Sequence, residues 1–270
     1  MKGRPTFAIG SVLVAAVLVV AVVSLVWLPY DPSDTSGGRL APPGGGHPLG
    51  TDKLGRDLLT QLMIGARIAL TVGVGSVLVG GLLGVTAGLL AGFATRWLDD
   101  TISAVLDILI AFPTLLLAML VVAVRQASLG SAILAIGLAM SVVVARLTRV
   151  LVKRVLAEDY ITASRTSGTS WPRVVTEHVL PNIWPTLLVN LALQLGLAVL
   201  AEAALSYLGL GPPPPNASWG RLLQEAQATV LTAPTGAIAP GVLLVVLVVG
   251  VNLVADGFRD LADPTRRWSR

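Results

Sequence analysis

The sequence predicts an all-α polytopic membrane protein with six transmembrane helices, and three observations carry that expectation. First, 54% of the 270 residues are hydrophobic and only 13% are charged, against roughly 25% charged in an ordinary soluble domain; the mean hydropathy is +0.80. Second, apolar runs of about 20 residues recur along the chain, the length a helix needs to cross the hydrocarbon core. Third, six spans put thirteen of the nineteen Lys and Arg residues on the side that holds both chain ends, which the positive-inside rule makes cytoplasmic.

The first span, residues 7–28, follows Lys2 and Arg4. It is longer than the ~7–15 residue apolar core of a signal peptide, and no small-residue cleavage site follows, so it is expected to be retained. Trp27 and Tyr30 sit where an interfacial aromatic anchor belongs. Residues 31–50 are rich in Pro and Gly and form an external loop. Residues 58–69 have apolar positions at helical spacing and are expected to lie along the interface before the chain turns into the membrane. These pieces make up an N-terminal unit, 1–69. A five-helix core, 70–256, and a cytoplasmic tail, 257–270, complete the chain.

The second span, 70–93, carries Ser76, Gly80, Gly84, Gly88 and Gly92, each four residues after the last. On a helix they form one narrow stripe of small residues, which lets backbones approach closely in lipid. Whether the neighbour belongs to this chain or to a partner is open at this point. The third span, 101–124, contains Pro113, which should kink it. The fourth, 131–151, ends with Arg146, Arg149 and Lys153 on one face, placed to snorkel to the interface. Asp107 lies at the same side and can pair with Arg146 or Arg149.

Residues 153–185 are the only long charge-bearing stretch without an apolar run. Helix formers at 157–165 have Glu158 and Asp159 in the first turn, where the helix dipole favours negative charge. Gly168 is placed to end that helix. Thr169 to Pro172 read as an N-cap region with Pro early in a second helix. Pro181 and Pro185 should end it. Two short helices meeting at a glycine outside the lipid are expected.

The fifth span, 185–208, has Asn190 and Gln194 four apart on one face, suiting a helix contact or a pore-facing surface. Glu202 is the ionisable residue deepest in an apolar run. Such a group must face protein or water; either it is functional, or it lies near enough to the outer surface to be hydrated. Residues 209–233 are external, with a stiff polyproline stretch at 212–215 and a short interfacial helix at 221–229 after Ser218-Trp219-Gly220. The sixth span is 238–255.

The chain has no cysteine, hence neither a disulfide framework nor a thiolate metal site. His47, Asp52 and Asp57 lack regular metal-ligand spacing, and capping or loop hydrogen bonds account for them better. No phosphate-binding G-x-x-x-x-G-K-[ST], G-x-S-x-G nucleophile or H-E-x-x-H zinc motif is present, so catalysis is not expected. The net charge of +4 follows from membrane topology, not from nucleic acid.

A short helix followed by Ala163, Gly168, Leu180 and Pro181 resembles the EAA loop of ABC importer permeases. The glutamate and second alanine usual in that motif are Thr162 and Ser164 here. Almost the whole chain is similar to the C-type permease subunits of the peptide class, which serve dipeptides, oligopeptides or nickel. The matching residues are His47-Pro-Leu-Gly-Thr-Asp52, Gly55-Arg56-Asp57, Gly65-Ala66-Arg67, Ala111-Phe112-Pro113, Glu202 through Gly211, Ser218-Trp219-Gly220, and Asn252 through Asp256-Gly257 to Asp263-Pro264.

The resemblance implies the type I ABC importer permease fold, with a cytoplasmic coupling helix in the loop 153–185 and Ala163, Ser164, Gly168, Leu180 and Pro181 coupling it to an ATPase. It also implies a second homologous permease, cytoplasmic ATPases (two separate or one fused), an extracytoplasmic substrate-binding protein and a bacterial inner membrane. ATP and magnesium would be bound by the partners and no cofactor by this chain. Asn190, Gln194 and Glu202 are candidates for the path or gate. Dipeptides lead as cargo, before oligopeptides, nickel chelates or haem. Two rival functions are an ion-coupled secondary carrier, for which only Glu202 is a candidate charge, and a non-transporting membrane scaffold.

Overall fold

The computed structural model describes residues 3–213 and 216–262. Met1, Lys2, Pro214, Pro215 and the tail from Asp263 onwards lie outside the described residues. Helix α1 (Gly3–Val26) is followed by α2 (Leu58–Phe93), α3 (Arg96–Ala111), α4 (Thr114–Arg125) and α5 (Leu129–Leu156). The short α6 (Asp159–Thr166) and α7 (Trp171–Val174) precede α8 (Leu180–Tyr207), α9 (Trp219–Ala226) and α10 (Thr235–Ala262).

Side-chain neighbours give the direction of each helix. Phe7 meets Phe258 edge to face at 5.3 Å, and Gly250 lies against Leu13 and Val14, so α1 and α10 run antiparallel with the start of one beside the end of the other. The Tyr30 amide donates to Thr60 Oγ1 at 3.2 Å, which brings the far end of α1 to the start of α2. Along α2 and α5 the neighbours advance together: Ser76 with Ile133, Gly80 with Met140, Gly84 with Val144, Gly88 with Thr148, Gly92 with Val152. These two helices are therefore parallel. Two parallel spans require the chain between them to return across the bilayer, and only α3 and α4 are available to do so.

The span expected at 101–124 breaks at Pro113, where the kink is expected, into α3 and α4. The two helices are bent by 89° at a short break. Phe112 is extended, with φ −78° and ψ 130°, because the residue before a proline is driven out of the helical region by the ring. Five helices among the described residues are long and apolar enough to cross a membrane, or six when the bent pair is counted as one span.

The interfacial segment expected at 58–69 does not turn. Helix α2 is continuous for 36 residues, across the boundary drawn at 69/70. A helix lying on a membrane needs one face in water, and this one has none. Leu58, Leu62, Ala66 and Ala69 pack into a core with Val17 and Ala21 of α1 and Leu247 and Val251 of α10. Ile64, Ile68 and Val72 enter a second core with Ile136 and Leu205. Asp57 starts the helix by accepting from the Thr60 amide at 2.7 Å, and its other oxygen meets His47 Nδ1 at 3.0 Å.

Helix α9 also leaves the interface. Trp219 is 1% exposed, its indole N–H donates to the Leu62 carbonyl at 3.1 Å, and its ring fills the space left by Gly65. Gly220 lies so close to the Ala203 backbone that no Cβ fits. Arg56 joins the external loop to this helix, pairing with Asp52 at 2.6 Å and Glu225 at 3.0 Å. Trp219→Ala is expected to cost about 3–5 kcal/mol, as for other large-to-small changes in a closed core. A drop in the thermal unfolding midpoint of the detergent-solubilised protein would measure it.

Candidate coupling surface

The ends of α2, α5 and α10 and the starts of α1 and α8 gather at one end of the bundle, and α6 and α7 stand there. Helix α6 closes with a Schellman motif. The Gly168 amide donates to the Arg165 carbonyl at 3.0 Å and the Thr169 amide to the Ser164 carbonyl at 3.1 Å. This closure needs a left-handed residue, and Gly168 supplies it at φ +88°. A Cβ built there meets nothing within 4 Å.

One face of α6 is anchored and the other is bare. Ile161 is buried with Val152, Val155, Val174, Val179, Ile183 and Leu187, a small core shared by α5, α6, α7 and α8. Thr162, Ala163, Thr166, Ser167 and Gly168 are exposed. Polar contacts tie the helix to the start of α8 and the turn before it: Ser164 Oγ lies 3.2 Å from His178 Nε2, the Tyr160 and His178 rings meet at 6.0 Å, and Asn182 Nδ2 donates to the Tyr160 hydroxyl at 3.3 Å. The guanidinium of Arg165 donates to the Thr169 carbonyl and lies 4.3 Å over the Trp171 ring, which meets Phe93 at 5.5 Å. A cation on a ring that itself rests on α2 fixes the loop to the bundle.

The second loop helix does not stop at Pro181. One wide turn, Val175–Val179, joins α7 to α8, with the Leu180 amide reaching back five residues to the Val175 carbonyl. Widening a helix by one residue accommodates the donor that Pro181 lacks and the bulk of its ring. Pro185 then sits inside α8. The result is one continuous rod from Trp171 to Tyr207, with α6 attached to its base. Leu180 is half-buried against the shared core and Pro181 is exposed.

Arg96, Asp99 and Asp100 read in the sequence as a tight turn, but Asp99 lies in the first turn of α3 and is an ion-pair centre. It is 5% exposed and accepts from Arg149 at 2.5 and 2.9 Å and from Lys153. Arg149 thus serves Asp99, while Asp107 pairs with Arg146 at 3.2 Å where both are exposed, a geometry that contributes little. Asp99→Ala would leave two cations facing each other with no counter-ion. The expected cost is about 2–3 kcal/mol, moderated because Lys153 keeps its head near water; denaturant titration in micelles measures it.

The three path candidates separate. Glu202 is 1% exposed and accepts from Ser206 Oγ at 2.6 Å. Gln194 is also buried. Asn190 alone reaches a groove, of about 440 Å³ between α5, α8 and α10. The small-residue stripe is covered from inside the chain: a Cβ on Gly80 would lie 2.8 Å from the Gly137 carbonyl, and one on Gly88 2.5 Å from that of Ala145.

The described residues thus form a bundle of five long apolar helices and one bent pair, with the short helices α6 and α7 standing at one end. Among solved structures the chain is similar to a chain of the MetNI methionine ABC transporter in inward-facing conformations, with TM-score 0.63, 22% identity, and 75% of this chain and 97% of that one covered. It is also similar to a chain of an amino acid ABC transporter, with TM-score 0.58, 15% identity and 74% and 94% covered. The fold is that of type I ABC importer permeases. Residues 84–268 match the family described as binding-protein-dependent transport system inner membrane component, and the chain belongs to that family.

The chain is 35% identical to the dipeptide transport system permease protein DppC of Alkalihalophilus pseudofirmus, over 98% of this chain and 87% of that protein. It is 38% identical to the di/tripeptide transport system permease protein DppC of Pseudomonas aeruginosa, over 95% and 88%. It is 35% identical to the nickel transport system permease protein NikC of Escherichia coli, over 98% and 96%. The chain is a multi-pass bacterial membrane protein and a transport subunit.

Proposed function

We propose that this chain is a permease subunit of an ATP-driven importer of short peptides, and that α6 with Gly168 is its contact with a cytoplasmic ATPase. The observation that carries the coupling assignment is the asymmetry of α6: one face is locked to α5, α7 and α8, the other is bare. A helix held this way transmits a push on its outer face to the rod that begins at Trp171. Ala163 and Gly168 offer close approach, while Ser164, Leu180 and Pro181 hold the base. A second, related permease completes the path, and an extracytoplasmic binding protein delivers cargo at the end that carries residues 31–57, 208–213 and 216–234. The ATPases, two or one fused, hold ATP and magnesium. Both chain ends are cytoplasmic in this scheme, which the meeting of Phe7 and Phe258 supports, since it sets the start of α1 beside the last turns of α10.

Dipeptides are the leading cargo because relatives named for dipeptides and di/tripeptides match nearly the full chain. A nickel permease matches as well, so a metal chelate is the second choice. The test is uptake by the assembled complex in proteoliposomes. ATP-dependent, binding-protein-dependent accumulation of a labelled dipeptide is expected. Accumulation driven by an ion gradient without ATP would instead make the chain a secondary carrier, since a nucleotide shifts the equilibrium only through differential affinity for its two states.

A further inference from the structure

We infer that Glu202 is a positioning residue that locks α9 to α8, so that docking at the outer end of the bundle is transmitted along α8 to α6. The inference rests on the importer reading, in which a binding protein meets the outer end and an ATPase meets α6. Glu202 is 1% exposed and forms no ion pair among the described residues. A buried carboxyl without a cation is costly in an apolar run. Replacing such a group and its partners by apolar side chains of the same shape is commonly neutral, so the fold alone does not call for it.

The neighbours of the carboxyl come from two elements. Ser206 Oγ, one turn further along α8, donates to it at 2.6 Å. The hydroxyl of Ser218 faces the same carboxyl. Ser218 is the N-cap of α9, and its oxygen accepts from the Arg221 amide at 3.2 Å, which leaves its proton for Glu202. Both serines are buried. Beside this bridge the Gly220 backbone is pressed onto that of Ala203, so α9 cannot shift without moving α8. Glu225, on the same short helix, holds Arg56 of the external loop at 3.0 Å. The outer end is thus keyed onto α8 around Glu202. From there one rod of 37 residues runs back to Trp171, about 55 Å at the helical rise, and α6 is fixed to its base. Packed contacts, hydrogen bonds and rigid helices of this kind carry coupling between distant sites.

The test uses the whole complex reconstituted in liposomes, with ATP hydrolysis measured alone and with dipeptide-loaded binding protein. The Kd of that binding protein for the complex is measured alongside. Glu202→Met keeps the volume and removes the acceptor. It is expected to leave basal hydrolysis and the Kd unchanged while stimulation by the loaded binding protein falls about threefold to tenfold. Glu202→Gln keeps an acceptor oxygen for both hydroxyls and should retain most of the stimulation. Ser218→Gly breaks the bridge from the α9 side, and glycine preserves most of the N-cap preference. It should reproduce the loss seen in Glu202→Met, and it decides alone if that variant does not assemble.

A weakened Kd that accounts for the whole loss would make Glu202 a prop of the docking surface and overturn the transmitting role. Full stimulation in Glu202→Met or in Ser218→Gly would overturn it too, and the importer reading would stand. If the loaded binding protein does not stimulate the wild-type complex, both fail.

Discussion

Gly168→Asp is expected to leave the chain folded and in the membrane while import by the complex, and cargo-stimulated ATP hydrolysis, fall by about thirtyfold or more. The separation follows from geometry. A Cβ at 168 meets no atom of this chain, so the folded state bears only the backbone cost of a side chain at φ +88°, about 1 kcal/mol. Asp tolerates that region better than most residues. The new carboxylate instead points at whatever docks on α6. An uncompensated charge in a docking surface costs about 2–5 kcal/mol, and the lower bound already corresponds to roughly thirtyfold. Gly168→Ala, with the same backbone strain and no charge, should fall between the two. Uptake assays paired with quantitation of the membrane-inserted complex check this. Normal uptake by Gly168→Asp would remove α6 from the coupling path.

Gly84→Leu is expected to do the opposite, preventing the fold and not merely its use. A Cβ at 84 would lie 2.6 Å from Val144 Cβ and 2.7 Å from the Ser141 carbonyl, so even the first added carbon separates α2 from α5. Overpacking typically costs about 1–3 kcal/mol at a single site. Here the separation also opens the seam at Gly80, Gly88 and Gly92, which lie along the same line. In lipid, helices are held together by close van der Waals packing, and no hydrophobic drive makes up for its loss. Leu82, exposed on the other face of α2, supplies the control: Leu82→Ala should change stability little. Yield of monodisperse protein in detergent and its unfolding midpoint separate the two variants.

Much of this architecture was legible from one-dimensional pattern. Span length, basic-residue asymmetry and the four-residue stripe on α2 depend on local periodicity, and the stripe meets α5 of the same chain. The motif residues around Gly168 were legible for a similar reason, since a Schellman closure needs glycine at one position only. What stayed hidden depends on distant partners. Nothing local to 58–69 tells an interface-lying helix from one wrapped on two sides by Val17, Leu247 and Ile136. Trp219 looked interfacial because its pocket is made by Gly65, far away in sequence. Asp107 was preferred to Asp99 as an ion-pair partner because both face the basic end of α5, and only the packing of α3 on α5 shows that Asp99 is the buried one. Proline rules overstated the break at Pro181, where one widened turn carries the helix through.

The most direct test of the coupling assignment is photo-cross-linking from position 163 in the assembled, membrane-embedded complex. Ala163 is exposed on the bare face of α6, and a benzophenone side chain placed there reaches only what covers that face. A covalent product containing an ATPase subunit is the predicted result. Products confined to this chain, to lipid or to the extracytoplasmic binding protein would contradict it.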